Sequence, residues 1–178
     1  MLVFRGGQMS VVLGLRPSAE KRQSHLIAEQ IAISQINSAG SFTVGYTVTI
    51  PTTIVIDQYE VLWTPSLASE TIKVSMWDGA NALIAASVAT GTITTPGLHY
   101  LSLAAPVTLT AGSYTLGCHE ITGTRYQRTN GGAFVVGRDY GNGMNMATPN
   151  LYAVGDGRPS LVAGAEKYGF FFARQVVG

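Results

Sequence analysis

The reactive side chains of this chain come closest together in one tripeptide, Cys118-His119-Glu120. A thiol, an imidazole and a carboxylate make a nucleophile, a base and an orienting acid when they converge on one point. On an extended strand they diverge, because successive side chains leave opposite faces. Cys118 is then expected inside with Tyr114 and Leu116, and His119 outside at a surface or interface. Neighbours so divided cannot readily chelate one metal ion. The remaining histidines, His25 and His99, sit in no catalytic motif, and neither G-x-S-x-G, H-E-x-x-H nor a phosphate-binding glycine loop occurs. Asp78-Gly79-Ala80-Asn81 and Asp139-Tyr140-Gly141-Asn142 offer oxygen ligands without EF-hand spacing and read as turns. The expectation is a protein that is not an enzyme, with no catalytic residue, metal or cofactor.

Sugar binding is the small-ligand chemistry that the side chains support best. Aromatic faces pack against sugar C–H surfaces, and planar amides hydrogen-bond to hydroxyls. Trp77, Tyr126, Tyr140, Asn142 and Tyr152 are the glycan-binding candidates, with Trp77 on the strand parity opposite to Val74 and Met76. The aromatics form no regular ladder, so packing at the ends of a sandwich or at a subunit interface is the competing explanation.

Composition narrows the classes further. Of 178 residues 46% are hydrophobic and 12% charged, and 11 Lys and Arg stand against 10 Asp and Glu. That is too apolar for a disordered chain and too balanced for a nucleic-acid footprint, since Arg125, Arg128, Arg138 and Arg158 are offset by Asp139, Asp156 and Glu166. A single Cys forms no intrachain disulfide. Nowhere do about 18 apolar residues run together, so no membrane span is expected. Arg5-Gly6-Gly7-Gln8 breaks the first apolar run, so a secretory leader is not expected either.

The elements that must position these residues are strands. Phe42, Val44, Tyr46, Val48 and Ile50 alternate with Thr43, Gly45, Thr47 and Thr49, a two-residue period. Residues 52–63 continue as a strand whose apolar parity switches near Asp57-Gln58, which predicts a bulge. Further strands are expected around Ile72-Val74-Met76, over Leu83–Val88, at Leu101-Leu103, at Tyr114-Leu116-Cys118 and at Tyr168-Phe170-Phe172, with a short one at Phe134-Val135-Val136. Turn signals recur at close to the spacing of an all-β sandwich. Ser18 to Ala28 reads as a short helix followed by an extended piece. The chain thus divides into an N-terminal arm and linker, residues 1–40, and an antiparallel β-sandwich, residues 41–178, with long glycine-rich loops at 121–165.

One stretch resembles a known family. Val74-Ser75-Met76-Trp77-Asp78, the turn, Leu83 to Val88, and Leu103 to Gly117 with its corner Pro106-Val107-Thr108-Leu109-Thr110-Ala111-Gly112-Ser113-Tyr114 are similar to jelly-roll-like β-sandwich modules of unknown function. Such modules occur in bacterial extracellular proteins and in tailed-phage virion proteins. The likeness covers about Phe42 to His119 and implies fold alone, because the family shares no catalytic residues. Asn81 stands where a turn glycine is more usual.

Low charge suits a surface buried in an assembly. The expected role is a virion structural protein, a capsid decoration or cement protein of a tailed bacteriophage, at the capsid surface or the tail. Leu2, Val3, Phe4, Val11, Val12 and Leu13 would anchor the arm, and Arg5, Arg16, Lys21 and Arg22 would pair with acidic coat surface. A homo-oligomer, by preference a trimer, is expected, with coat or other virion proteins as partners and neither nucleic acid nor membrane. The alternative is an extracellular carbohydrate-binding or adhesion module, including a tail or fibre receptor-binding component.

Overall fold

The computed structural model describes residues 33–37, 41–65, 67–122, 125–129, 143–163 and 171–176. They form an all-β sandwich. Eleven strands follow one another: β1 Ile33–Asn37, β2 Phe42–Ile50, β3 Ile54–Trp63, β4 Glu70–Trp77, β5 Ala89–Ile93, β6 Gly97–Leu109, β7 Gly112–Glu120, β8 Arg125–Thr129, β9 Asn145–Val154, β10 Leu161–Val162 and β11 Phe171–Gln175. Six make one sheet in the order β10-β9-β2-β7-β4-β5, three make the facing sheet β11-β3-β6, and β1 pairs with β8 alone.

The first eight strands pair as nested couples, β4 with β5, β3 with β6, β2 with β7 and β1 with β8, all antiparallel. A long hairpin rolled over on itself gives this nesting, which is jelly-roll connectivity. Alternation in the sequence decides what each couple buries. Val44, Tyr46 and Val48 of β2, Ile72, Val74 and Met76 of β4, and Leu116 and Cys118 of β7 line one inner face, against Ile54, Ile56, Tyr59, Val61 and Trp63 of β3 and Phe171 of β11. Each such side chain taken out of water contributes about 1.5–3 kcal/mol. The expected parity switch is present: the β3–β6 register shifts between Ile56 and Gln58, which lets Ile56 and Tyr59 both point inward.

Polar atoms carried into the core are matched. Tyr46 Oη donates to the Phe171 carbonyl at 2.5 Å and Tyr59 Oη to the Ser87 carbonyl at 2.7 Å. Trp63 Nε1 donates to Glu70 Oε2 at 2.7 Å, and the Leu67 amide donates to Glu70 Oε1 at 3.2 Å, so each oxygen of this fully buried carboxylate accepts a hydrogen bond. Where β6 turns into β7, Tyr114 Oη donates back to the Thr110 carbonyl at 2.9 Å and pins the corner.

Two expectations need correction. Leu83–Val88 is not a strand. Leu83 makes one isolated bridge to Trp77, and Ala85–Ser87 then winds into a 3-10 turn before β5 begins at Ala89. Buried Ser87 is the cause, because its Oγ accepts from the Met76 amide at 3.1 Å and donates to the Ile84 carbonyl at 2.7 Å, replacing strand pairing at the end of β4. The weakly periodic region after Ile121 also holds a ten-residue strand, β9, which joins the flank of β2. The expected helix over Ser18 to Ala28 and the strand at Phe134 to Val136 lie outside the described residues, as do Tyr168 and Phe170.

Candidate functional site

The Cys118-His119-Glu120 cluster separates as alternation requires. Cys118 is buried and free, with its thiol pushed well up by burial and then by the charge of Glu120, which suppresses the thiolate. His119 faces the other way, yet it is 7% exposed, so the expected surface histidine is covered. Its Nδ1 lies 3.1 Å from the Phe42 carbonyl and 3.4 Å from Thr43 Oγ1, and its Nε2 lies 3.5 Å from Ser41 Oγ. Thr122 donates its hydroxyl to the buried Glu120 carboxylate. These groups hold strands together and do not converge on one point.

Beside His119 a strap, Gly155 to Ser160, is laid along the outer face of the large sheet. Thr43 Oγ1 donates to the Gly155 carbonyl at 2.7 Å and accepts from the Gly157 amide at 3.2 Å. Asp156 pairs with Lys73. Arg158 Nη2 donates to Thr115 Oγ1 at 3.2 Å. Pro159 sits over the cross-strand pair Gly45 and Gly117, whose missing side chains leave room for it; a Cβ on Gly45 would stand 2.9 Å from Pro159 Cγ and one on Gly117 3.0 Å from Pro159 Cδ. Trp77 borders the same trough, its ring 2.9 Å from that added Cβ of Gly117.

The sugar candidates are therefore dispersed. Trp77 does lie on the outer face, but at 8% exposure it presents no ring to a ligand. Tyr152 is half-buried, edge-on to Phe42 with ring centroids 6.1 Å apart. Tyr126 occupies a β8 position opposite Ile36. Tyr140 and Asn142 lie outside the described residues, as do all the arm candidates, Leu2, Val3, Phe4, Arg5, Val11, Val12, Leu13, Arg16, Lys21 and Arg22. The Asp78 turn is used by its own backbone: Oδ1 accepts from the amides of Ala80 at 3.0 Å and Ala82 at 2.9 Å, and Asn81 takes the left-handed φ of 70°. Among the described residues no three His, Cys, Asp or Glu side chains gather as metal ligands, and no helix is long and apolar enough to cross a membrane.

The feature left for function is the β1–β8 ribbon. Within the sandwich Thr43 stands opposite His119; six residues earlier on one strand and six later on the other, Asn37 stands opposite Arg125. The ladder thus resumes with an unchanged offset. Its flanking strands do not follow: the last backbone bonds to them are Gly155 N–H to the Ser41 carbonyl and Ile121 N–H to the Thr71 carbonyl, each 2.7 Å. Among the described residues the ribbon has only its two strands.

Charge is distributed unevenly along the chain about this ribbon. Residues 1–40, which lead into it, carry Arg5, Arg16, Lys21 and Arg22 against Glu20 and Glu29. Residues 123–142, which include β8, carry Arg125, Arg128 and Arg138 against Asp139. The intervening residues 41–122 hold Lys73 alone against Asp57, Glu60, Glu70, Asp78 and Glu120. An overall charge of +1 conceals this partition. Both the ribbon and the strap escaped the sequence reading: an equal offset across two separate strand pairs appears only once the strands are paired. Gly155-Asp156-Gly157-Arg158-Pro159 reads as a loop without saying which face it crosses.

Compared with protein-family models, with curated proteins and with solved structures, the chain matches none.

Proposed function

We propose that the protein is a non-enzymatic structural component of a tailed-phage virion, a decoration or cement protein that docks on coat subunits through its N-terminal segment. The observation that carries this reading is the ribbon. It leaves the sandwich as the open end of the rolled hairpin, and the chain's excess positive charge lies in residues 1–32, which lead into β1, and in β8 itself, with Arg125 and Arg128. A chain that gathers its positive charge next to one unaccompanied ribbon suits attachment to an acidic protein surface, with the sandwich as the body held there. The apolar residues Leu2, Val3, Phe4, Val11, Val12 and Leu13 would supply the buried contact, and Arg5, Arg16, Lys21 and Arg22 the orienting charge. The role is mechanical, since contact spread across subunit boundaries raises the cost of separating them.

Cosedimentation with capsid shells tests it. The full chain should saturate the shells, and a chain lacking residues 1–16 should remain folded and stay in the supernatant. Equal binding by both, or binding by neither, overturns the reading. Retention on a glycan array that survives the deletion and is lost in Tyr140→Ala would establish the carbohydrate-binding alternative in its place.

A further inference from the structure

We infer that the β1 edge of the ribbon is a self-association surface, taking the β1 edge of a second copy of this chain in antiparallel pairing across a twofold axis. The inference rests on the ribbon alone and is independent of the coat reading.

An isolated two-stranded ribbon is marginal in water and needs a third strand or a packed face. Here two five-residue strands, each about 17 Å long, continue a ladder after its flanking strands have stopped. Among the described residues neither outer edge has a partner strand, and an unpaired edge is a template for another strand. The two edges differ in charge. β8, Arg-Tyr-Gln-Arg-Thr, carries two arginines and no acid, and charge on an edge strand is a common block to edge-to-edge growth. β1, Ile-Ser-Gln-Ile-Asn, carries no charge, no proline and no glycine.

That asymmetry selects both the occupant and the stoichiometry. A second β1 is as uncharged as the first, so their approach meets no electrostatic penalty, whereas two β8 edges would bring four arginines together. Antiparallel pairing of like strands is twofold by construction, and the same patch serves both copies. The product is a four-stranded sheet in the order β8-β1-β1-β8, with arginine-bearing strands at both margins to stop further addition. Composition alone led to an expected trimer; the edges favour a pair. A five-residue contact is small, so the dimer is weak in free solution and gains strength where copies are held close together.

Sedimentation equilibrium of the full chain over a concentration series tests this with two variants of opposite expectation. Gln35 and Gln127 face each other across the ribbon, so Gln35→Lys and Gln127→Lys disturb the same rung from opposite edges. The unaltered chain should show a monomer–dimer equilibrium. Gln35→Lys places like charges across the axis and should weaken the dimer by up to about fivefold, as like charges directly opposite do; Gln127→Lys should leave it unchanged. A monomer at every concentration, a trimer, a dimer indifferent to Gln35→Lys, or equal weakening by both variants would each overturn the inference. So would a monomer in which the β1 amides facing away from β8 resist hydrogen exchange, since its own chain would then occupy the edge.

Discussion

The β2–β7 ladder and the β1–β8 ladder share one offset and one geometry, and they differ in what lies against them. Inside the sandwich, β2 and β7 are the two middle strands of six, with Tyr46, Val48, Leu116 and Cys118 buried against the facing sheet. Beyond Ser41 and Ile121 the same pairing continues, among the described residues, with neither flanking strand. Backbone hydrogen bonds are exchanged for bonds to water at a small net gain, about 1 kcal/mol each, whereas burial of the inner faces supplies the bulk of the stability. One ladder is therefore a structural spine, and its continuation is a contact that waits for a surface.

This difference can be broken most forcefully from within. Trp63→Ala removes a buried ring and leaves the Glu70 carboxylate without its indole donor, and should cost about 3–5 kcal/mol in chemical denaturation. Ile36→Ala, in the ribbon, should shift the same curve by about 0.5 kcal/mol at most. Equal losses would erase the distinction between the two ladders.

Gly45→Ala should come next. An added Cβ would meet the Leu116 backbone oxygen at 2.0 Å as well as Pro159, so the β2–β7 pair must part and the strap must give way. A loss of about 1–3 kcal/mol is expected, with the signature of overpacking.

A pH series sharpens the comparison through the buried acids. The Cys118 thiol, ordinarily 9.0, and the Tyr59 and Tyr46 phenols, ordinarily 10.0, are all raised by burial. Above pH 9 the unfolded chain releases the Cys118 proton while the folded chain keeps it, so the folded state binds more protons and stability falls as pH rises. The slope should approach about 1.4 kcal/mol per pH unit, steepening above pH 10 as the two tyrosines join. Cys118→Ala should abolish the part between pH 9 and 10, read from denaturation midpoints.

The smallest effect should come from the strap. Asp156→Asn breaks the ion pair with Lys73, but the Asp156 side chain is 46% exposed, so the loss should be below about 1 kcal/mol. A larger loss would mean that the outer face contributes to the fold as the inner one does.

Alternation explains why so much of the sandwich was legible. Phe42 to Ile50 and Ile72 to Met76 state their strands outright, and the parity switch at Asp57-Gln58 announced the bulge that the β3–β6 register contains. Leu83 to Val88 misled because a run of Leu, Ile and Ala has strand composition, whereas one buried serine hydroxyl decides the turn. Strand β9 was obscured because Asn, Thr, Pro and Asn break its hydrophobic period while its backbone still pairs along β2. Trp77 shows the limit for sites: parity correctly assigned its face, and only the course of residues 155–160 reveals that the face is covered.

Hydrogen exchange along the shared ladder, read by mass spectrometry on the full chain when dilute and when assembled, tests the difference between its two halves most directly. Residues 43–50 and 112–119 should be protected under both conditions, and those amides of residues 33–37 that face away from β8 should gain protection only on assembly. Protection of the outward-facing 33–37 amides in the dilute monomer, or none in the assembled state, would contradict the assignment of the β1 edge as a contact surface.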